Sequence, residues 1–290
     1  MNANIMRKPE WLKVKMESTK KLVAVNEILH ANNLNTVCQG AKCPNRLECF
    51  SNKTATFMIL GANCTRNCTF CNIAGGMPEK VDLDEPRRVA EGIKELGLEH
   101  AVITSVTRDD LADGGSIQFA NTILEIRKLC PDTIVEVLIP DFKGDKVSLK
   151  NVIDANPDII NHNVETIESL YSAVRPEAEY YQSLDLLKYV KDNTNIHTKS
   201  GFMLGLGEKE EDIYKLIDDL YDYGIDFLTI GQYLPPSNEH YKLVEYITPA
   251  MFDKYGDYAR KKGFTFVASS PLVRSSYNAS EFYKTAKGIK

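Results

Sequence analysis

The 290-residue chain contains no apolar run of the roughly 18–20 residues that a membrane-spanning helix needs, so no such span is expected. Its start, Met1 to Met16, alternates apolar and basic residues. It lacks the apolar stretch of roughly 7–15 residues that marks a secretory signal, so a cytoplasmic location is expected. Positive charge is not in excess: 35 Lys and Arg stand against 40 Asp and Glu, and the net charge of −5 argues against a general nucleic-acid binder. There is no internal repeat and no low-complexity segment. The length allows one large domain or two ordinary ones, with a core that needs no disulfides. Because thiols stay reduced in the cytoplasm, the seven cysteines call for another explanation.

The first ~55 residues are irregular, with basic residues (Arg7, Lys8, Lys13, Lys15, Lys20, Lys21) and three cysteines. A strand-then-helix pattern follows. Short runs rich in Val, Ile, Thr and Phe predict strands at Thr56–Leu60, His100–Ser105, Thr133–Ile139, Asp158–Asn163, Ile196–Leu204, Phe227–Gln232 and Thr265–Ala268. Ile213, Leu216, Ile217, Leu220 and Tyr221 line one face of a helix, as do Phe119, Ile123, Ile126 and Cys130. A further helix is expected from Ala279. Alternation of this kind implies right-handed βαβ units and a parallel sheet. Six or seven units suit a partial or full barrel, with chemistry at the C-terminal ends of the strands. A doubly wound open sheet is the alternative.

Cys64, Cys68 and Cys71 read C-x3-C-x2-C directly after the first predicted strand. Three thiolates on one short loop can hold three corners of an iron–sulfur cubane, whose full set is four. The fourth iron is then open, and an open metal position is where a substrate coordinates. A structural zinc site is the plainer alternative, but such sites prefer C-x2-C pairs in even sets. Cys38, Cys43 and Cys49 read C-x4-C-x5-C, a second triplet too dense for chance burial. It too predicts a metal centre, a cluster rather than a zinc knuckle. Cys130, on the apolar face of a helix, reads as a small buried hydrophobe.

With both triplets in view, the chain resembles the lipoyl synthase family of radical S-adenosylmethionine enzymes over essentially its whole length. Besides the triplets, the likeness rests on RKPEWLK at Arg7–Lys13, ATFMILG at Ala55–Gly61, TSVTRDDLADGG at Thr104–Gly115, HNVET at His162–Thr166, TKSGFMLGLGE at Thr198–Glu208 and Arg274-Ser275-Ser276-Tyr277. The resemblance implies a partial (β/α)6 TIM-like barrel at residues 55–268. An N-terminal extension, 1–54, and a C-terminal extension, 269–290, would carry an auxiliary cluster. It also implies two 4Fe-4S clusters and S-adenosylmethionine as cofactors. The cluster on Cys64, Cys68 and Cys71 would bind S-adenosylmethionine, whose cleavage yields a 5′-deoxyadenosyl radical that abstracts hydrogen from a protein-bound octanoyl-lysine. The cluster on Cys38, Cys43, Cys49 and Ser276 would donate sulfur at carbons 6 and 8. An oxygen ligand is harder than a thiolate, so its bond to iron would break early as the cluster is dismantled.

The superfamily likeness implies Phe70 near the adenine, and Gly201, Met203, Gly205 and Glu208 match its G-x-I-x-G-x-x-E pattern with Met for Ile, where small residues after a strand let the backbone approach a ligand. Asn163 and Glu165, at the end of a predicted strand that in a parallel barrel faces the active site, are expected at the cofactor ribose, and Arg175 and Lys199 are candidates for its carboxylate. Glu208 could equally start the next helix, where acids are favoured. Asp109 and Asp110 are expected to brace the loop. Expected partners are octanoylated lipoyl-carrier domains (2-oxo acid dehydrogenase acyltransferase subunits, glycine cleavage H protein), a flavodoxin or ferredoxin as electron donor, and an iron–sulfur carrier protein. Neither nucleic acid nor membrane is expected. The N-terminal basic residues are expected to steer an acidic carrier domain. A biotin synthase-like sulfur inserter lacks the pairing of the upstream triplet with Arg-Ser-Ser-Tyr. A two-cluster electron carrier would saturate its irons and need no barrel of this size.

Overall fold

The computed structural model describes residues 7–13, 19–41, 43, 45, 46, 49 and 55–276. Its frame is one sheet in consecutive order, β1 (Asn35–Thr36), β2 (Thr56–Ile59), β3 (His100–Ser105), β4 (Ile134–Leu138), β5 (Ile159–Asn161), β6 (His197–Leu204), β7 (Phe227–Gln232) and β8 (Phe266–Ser269). From β2 to β8 every neighbouring pair is parallel. A doubly wound sheet would reverse its order at a switch point; this one never does, so it curls as a partial barrel. It runs one strand beyond six. The predicted strands coincide with β2–β8 to within a residue or two at their ends. β1, which pairs antiparallel with β2 through Asn35–Met58 and Thr36–Phe57, is too short to leave a pattern in the sequence.

The described helices are α1 (Thr19–Ala31), α2 (Val37–Gly40), α3 (Glu85–Leu96), α4 (Ser116–Leu129), α5 (Lys146–Asp154), α6 (Tyr171–Val174), α7 (Tyr180–Asn193), α8 (Glu210–Asp222) and α9 (Pro249–Lys262); the longer ones that alternate with the strands pack on the sheet. The periodic residues Ile213, Leu216, Ile217 and Leu220 of α8 are buried, as are Phe119, Ile123 and Ile126 of α4. With both faces covered, β2 and β7 are buried at every residue, as parallel strands usually are. Cys130 comes just after α4 and is half-buried against the core, its thiol near the Ala90 carbonyl. The helix expected from Ala279 lies outside the described residues.

The barrel floor is polar. Lys199 Nζ donates to both carboxylate oxygens of Glu136, at 2.9 and 3.1 Å. Glu136 also accepts from Asn161 Nδ2 and faces His100 Nε2 at 3.2 Å. All four side chains are buried, Lys199 and Glu136 completely. Charges so deep persist only when paired. Lys199 therefore corrects the expectation that it meets a cofactor carboxylate. It lies three residues into β6, toward the floor, and its charge is already matched by Glu136.

Candidate active site

The strand ends open on a cavity of about 590 Å³. Ser105 ends β3 and Thr107 follows it, Ile139 follows β4, His162, Asn163 and Glu165 follow β5, Tyr233 and Leu234 follow β7, and Arg274, Ser275 and Ser276 follow β8. Cys64, Phe70 and Cys71 enter from the loop after β2. Cys38, Cys43 and Cys49 enter from the N-terminal segment, together with Lys8 and Asn45. The two cysteine sets and the Arg-Ser-Ser motif thus share one space. Tyr277 lies outside the described residues.

The Cys64–Cys71 loop is held on every side. Its approach is fixed at Leu60, which has φ of 69°. The Leu60 N–H donates to the buried Glu85 carboxylate at 2.9 Å, and Arg108 donates to the Leu60 carbonyl at 3.2 Å. Arg66, between the first two cysteines, donates to Asp141 at 2.7 and 2.8 Å and to Asp109 at 2.7 and 3.1 Å. These bonds tie the loop to the ends of β3 and β4. They hold the Asp141 carboxyl down to about 2 despite its burial. Asp110 pairs with Arg108, so both acids brace the loop as expected. Thr69 N–H donates to the Val174 carbonyl, Tyr241 N–H to the Thr69 carbonyl, and His240 Nε2 to the Cys71 carbonyl.

The sulfur atoms already have backbone donors. Cys64 Sγ accepts from the Thr107 N–H at 3.3 Å and the Arg66 N–H at 3.5 Å, and Cys71 Sγ from the Ile73 N–H at 3.5 Å. Hydrogen bonds of this kind stabilise cluster thiolates and tune their potential. Burial pushes the free Cys71 thiol up to about 12 and raises Cys68 and Cys38. Thiols of this kind lose their protons when a metal binds. Among the described residues no group of three or more His, Cys, Asp or Glu is arranged to hold a single metal ion; the donor chemistry, three cysteines on one braced loop with backbone N–H bonds to two of the sulfurs, fits an iron–sulfur group.

Cys38 sits at the start of α2, buried, with Thr56 donating to its sulfur from backbone and hydroxyl. The Cys43 N–H donates to the Cys38 carbonyl at 3.2 Å, and the Cys49 N–H to the Asn45 carbonyl at 2.9 Å. Asn45 Nδ2 in turn donates to the Leu272 carbonyl at 2.6 Å, joining this segment to the strand end that leads to Ser275 and Ser276. The second triplet and both serines line the same cavity.

Phe70 packs beside Met203 against Val174, Leu206, Tyr233 and Leu243. Arg175 is buried, lies over the Tyr171 ring and donates to the Asn163 carbonyl at 2.8 Å. Glu165 has φ of 69°, a strained position for a residue with a side chain. Its backbone is pinned there by bonds to Gly201 and Met203. Burial raises its carboxyl, and Arg175 opposes that shift. Gly205, with φ of 104°, needs to be glycine: a Cβ would run into Gln232 Nε2 and the Glu245 carbonyl. Glu208 does not open α8. Its carboxylate folds back to accept from the Gly205 and Leu206 N–H groups.

Ser105, His162 and Asn45 were not individually singled out by the sequence. Their buried Oγ, Nε2 and Oδ1 atoms have no partner among the described residues, and all three side chains line the cavity. The only signal for His162 was its place in HNVET.

Residues 58–220 match the model of the radical SAM superfamily. The chain is 57% identical over 288 residues to a lipoyl synthase of Alkaliphilus metalliredigens, covering 99% of each chain. It is 54% identical to one of Caldanaerobacter subterraneus, over 98% of this chain and 99% of the other. In fold it is similar to HydG, a maturase of the FeFe-hydrogenase, with a TM-score of 0.59 at 14% identity, over 93% of this chain and 61% of that one. It is also similar to Streptococcus suis SuiB bound to S-adenosylmethionine, with a TM-score of 0.57 at 14% identity, over 86% of this chain and 60% of that one. The chain belongs to the lipoyl synthase family of the radical S-adenosylmethionine superfamily.

Proposed function

We propose that this enzyme inserts two sulfur atoms, at carbons 6 and 8, into an octanoyl chain carried on a protein lysine, giving a lipoyl-lysine. The carrying observation is that one cavity is lined by Cys64 and Cys71, by Cys38, Cys43 and Cys49, and by Ser276. When bound, S-adenosylmethionine and two 4Fe-4S clusters supply the hydrogen-abstracting radical and the sulfur. Cys64, Cys68 and Cys71 would hold the cluster that meets the cofactor, and Cys38, Cys43, Cys49 and Ser276 the sulfur donor.

The other residues bind, orient and exclude water. Phe70 and Met203 give the adenine an apolar wall. Asn163 and Glu165 offer a hydrogen-bonding pair to the ribose. Arg175 is the cation left for the cofactor carboxylate once Lys199 is committed to Glu136. The cavity lining includes an apolar set, Val37, Met58, Val106, Leu138 and Val273. Such a wall suits an eight-carbon chain and keeps water from a radical.

Residues 1–54 and 269–290 would act as extensions that supply the donor ligands to the barrel at 55–268. No described helix is long and apolar enough to cross a membrane; the reading is of a cytoplasmic enzyme. The carrier domain is the macromolecular substrate, with a flavodoxin or ferredoxin and an iron–sulfur carrier as supporting partners. Lys13, one of the residues expected to steer the carrier, pairs with Glu10 near the exposed Trp11. Lys15 and the Lys20 and Lys21 side chains lie outside the described residues.

The test is an anaerobic assay on an octanoyl-lysine peptide with mass detection of sulfur. Wild type should carry about eight iron and eight sulfide per chain and yield the dithiolated product. Replacing Cys64, Cys68 and Cys71 by Ala should abolish deoxyadenosine. Replacing Cys38, Cys43 and Cys49 should leave deoxyadenosine formation and remove sulfur transfer. Zinc in place of iron, or loss of both activities with the first cluster intact, overturns the reading.

A further inference from the structure

Asn72 directly follows the last cysteine of the first triplet. Its Nδ2 donates to the Gly40 carbonyl at 2.7 Å. Gly40 lies between Cys38 and Cys43 of the other triplet, at the end of α2. A Cβ built on Gly40 would stand 2.9 Å from Ile73 Cδ1 and 3.9 Å from Met58 Cε. A side chain at residue 40 would have to push the end of the Ile73 side chain aside, so the glycine lets this turn close against the cysteine loop. A polar bond and a close apolar approach therefore meet at one point between the two triplets.

The surrounding frame makes this point decisive. Thr36 caps α2, its Oγ1 accepting from the Gln39 N–H at 3.4 Å, and Thr36 is part of β1 on β2. Cys38 is held by Thr56 of the same β2. The loop carrying Cys64–Cys71 departs from the far end of β2. One strand thus anchors both sets at their roots, and Asn72, Ile73 and Gly40 close the span on the other side.

We propose that Asn72, Ile73 and Gly40 form a spacer that fixes the separation of the two cysteine triplets and thereby couples cofactor cleavage to sulfur transfer. The inference rests on the function proposed above. Cofactor cleavage needs only the Cys64–Cys71 side, whereas sulfur transfer needs a substrate carbon prepared on that side to lie against sulfur on the other. A shift of about 1 Å in such an alignment costs about 100-fold in rate. A loosened or widened spacer therefore leaves cleavage in place and wastes it. These three are positioning residues, acting through where the triplets sit.

The experiment compares Gly40→Ala, Asn72→Ala, Ile73→Val and the double variant Gly40→Ala/Ile73→Val. Each is prepared anaerobically with both clusters and given S-adenosylmethionine and an octanoyl-lysine peptide. Valine lacks Cδ1, so it removes the atom that a Cβ at residue 40 meets. Gly40→Ala should keep wild-type iron and sulfide and form deoxyadenosine, while lipoyl product per deoxyadenosine falls about tenfold or more. Asn72→Ala should show a smaller fall of the same kind. The double variant should recover most of the ratio lost in Gly40→Ala. The magnetic interaction between the two reduced clusters, read by electron paramagnetic resonance, should change in Gly40→Ala and return in the double variant. An unchanged ratio in Gly40→Ala overturns the proposal. So does loss of iron and sulfide in that variant, which would make the contact a mere fastening, and so does failure of Ile73→Val to restore the ratio. A wild-type protein that forms deoxyadenosine but no sulfur product would instead overturn the functional reading.

Discussion

Cys64 and Cys71 sit on a loop that receives side chains or backbone bonds from the elements after β3, β4, β5 and β7. Cys38, Cys43 and Cys49 sit on a segment held mostly by neutral contacts among the described residues: β1 on β2, Asn72 at Gly40, Asn45 at Leu272, Arg88 at the Asn32 carbonyl, and Leu29, Leu34 and Cys38 in the common core. The first loop is fastened by a buried guanidinium between two carboxylates. The second is joined to the region before Ser276 by one neutral amide. On the proposed function this difference has a chemical sense. The cluster that meets S-adenosylmethionine survives each turnover and benefits from a fixed cradle. The one that gives up sulfur would change its ligation, and a cradle held by neutral hydrogen bonds would resist that less than one held by a buried ion pair.

The comparison is broken most sharply at Arg66. Its side chain is 4% exposed and that of Asp141 is 0% exposed. Removing one member of such a pair leaves an uncompensated buried charge, at a cost of about 3–5 kcal/mol. Arg66→Ala should lower the unfolding midpoint and lose iron from the Cys64–Cys71 site, with deoxyadenosine formation falling in proportion. Arg66→Lys should recover part of both, since it restores charge but not the paired geometry. Iron analysis, melting curves and deoxyadenosine yield check this together. Wild-type behaviour of Arg66→Ala would mean that the bracing is ornamental.

Asn45 is the matching position on the other side. Asn45→Ala loses the bond to the Leu272 carbonyl, worth about 1 kcal/mol. The expected effect is a fall of a few-fold in sulfur inserted per deoxyadenosine, with deoxyadenosine itself unaltered. Equal falls in both would show that the two regions are not separable and would collapse the contrast.

The barrel was legible from the sequence because each strand carries a local signal: a short run of branched or aromatic residues bounded by Gly, Pro or Asp. The cysteine sets were legible because their spacing is local too. Lys199 was misread for the opposite reason. Its partner Glu136 lies 63 residues away on β4, and nothing near Lys199 says that its part of β6 faces the floor and not the mouth. Glu208 is a milder case, since an acid before a helix looks like a helix start, and only the left-handed turns at Gly205 and Gly207 bring its carboxylate back onto its own loop. The Asn72–Gly40 contact joins two motifs that were each visible, but their meeting depends on how β1 returns along β2.

His162 tests whether the cavity wall at β5 is polar but uncharged. The His162 ring is 2% exposed. Its Nδ1 lies 2.8 Å from the Ile139 carbonyl, which only accepts, so Nδ1 carries the proton and Nε2 faces the cavity as a lone pair. Burial, assisted by the Arg175 guanidinium and opposed by Asp141, pushes the ring down to about 4 from the ordinary 6.5. The unfolded chain therefore takes up a proton at His162 before the folded one does. As pH falls from about 6.5 to about 4, stability is lost, by at most about 3 kcal/mol from this group, and no further below that. His162→Asn retains a donor for the Ile139 carbonyl and cannot titrate. Wild type and His162→Asn, equally loaded with clusters, share every other acid-sensitive group. The difference between their unfolding midpoints should hence be constant above pH 7 and drift in favour of the variant as the pH is lowered toward 4.5. Parallel midpoints across that range would show that the ring is charged or solvated in the fold, and that this wall is no quieter than the cation-lined end at Lys8 and Arg274.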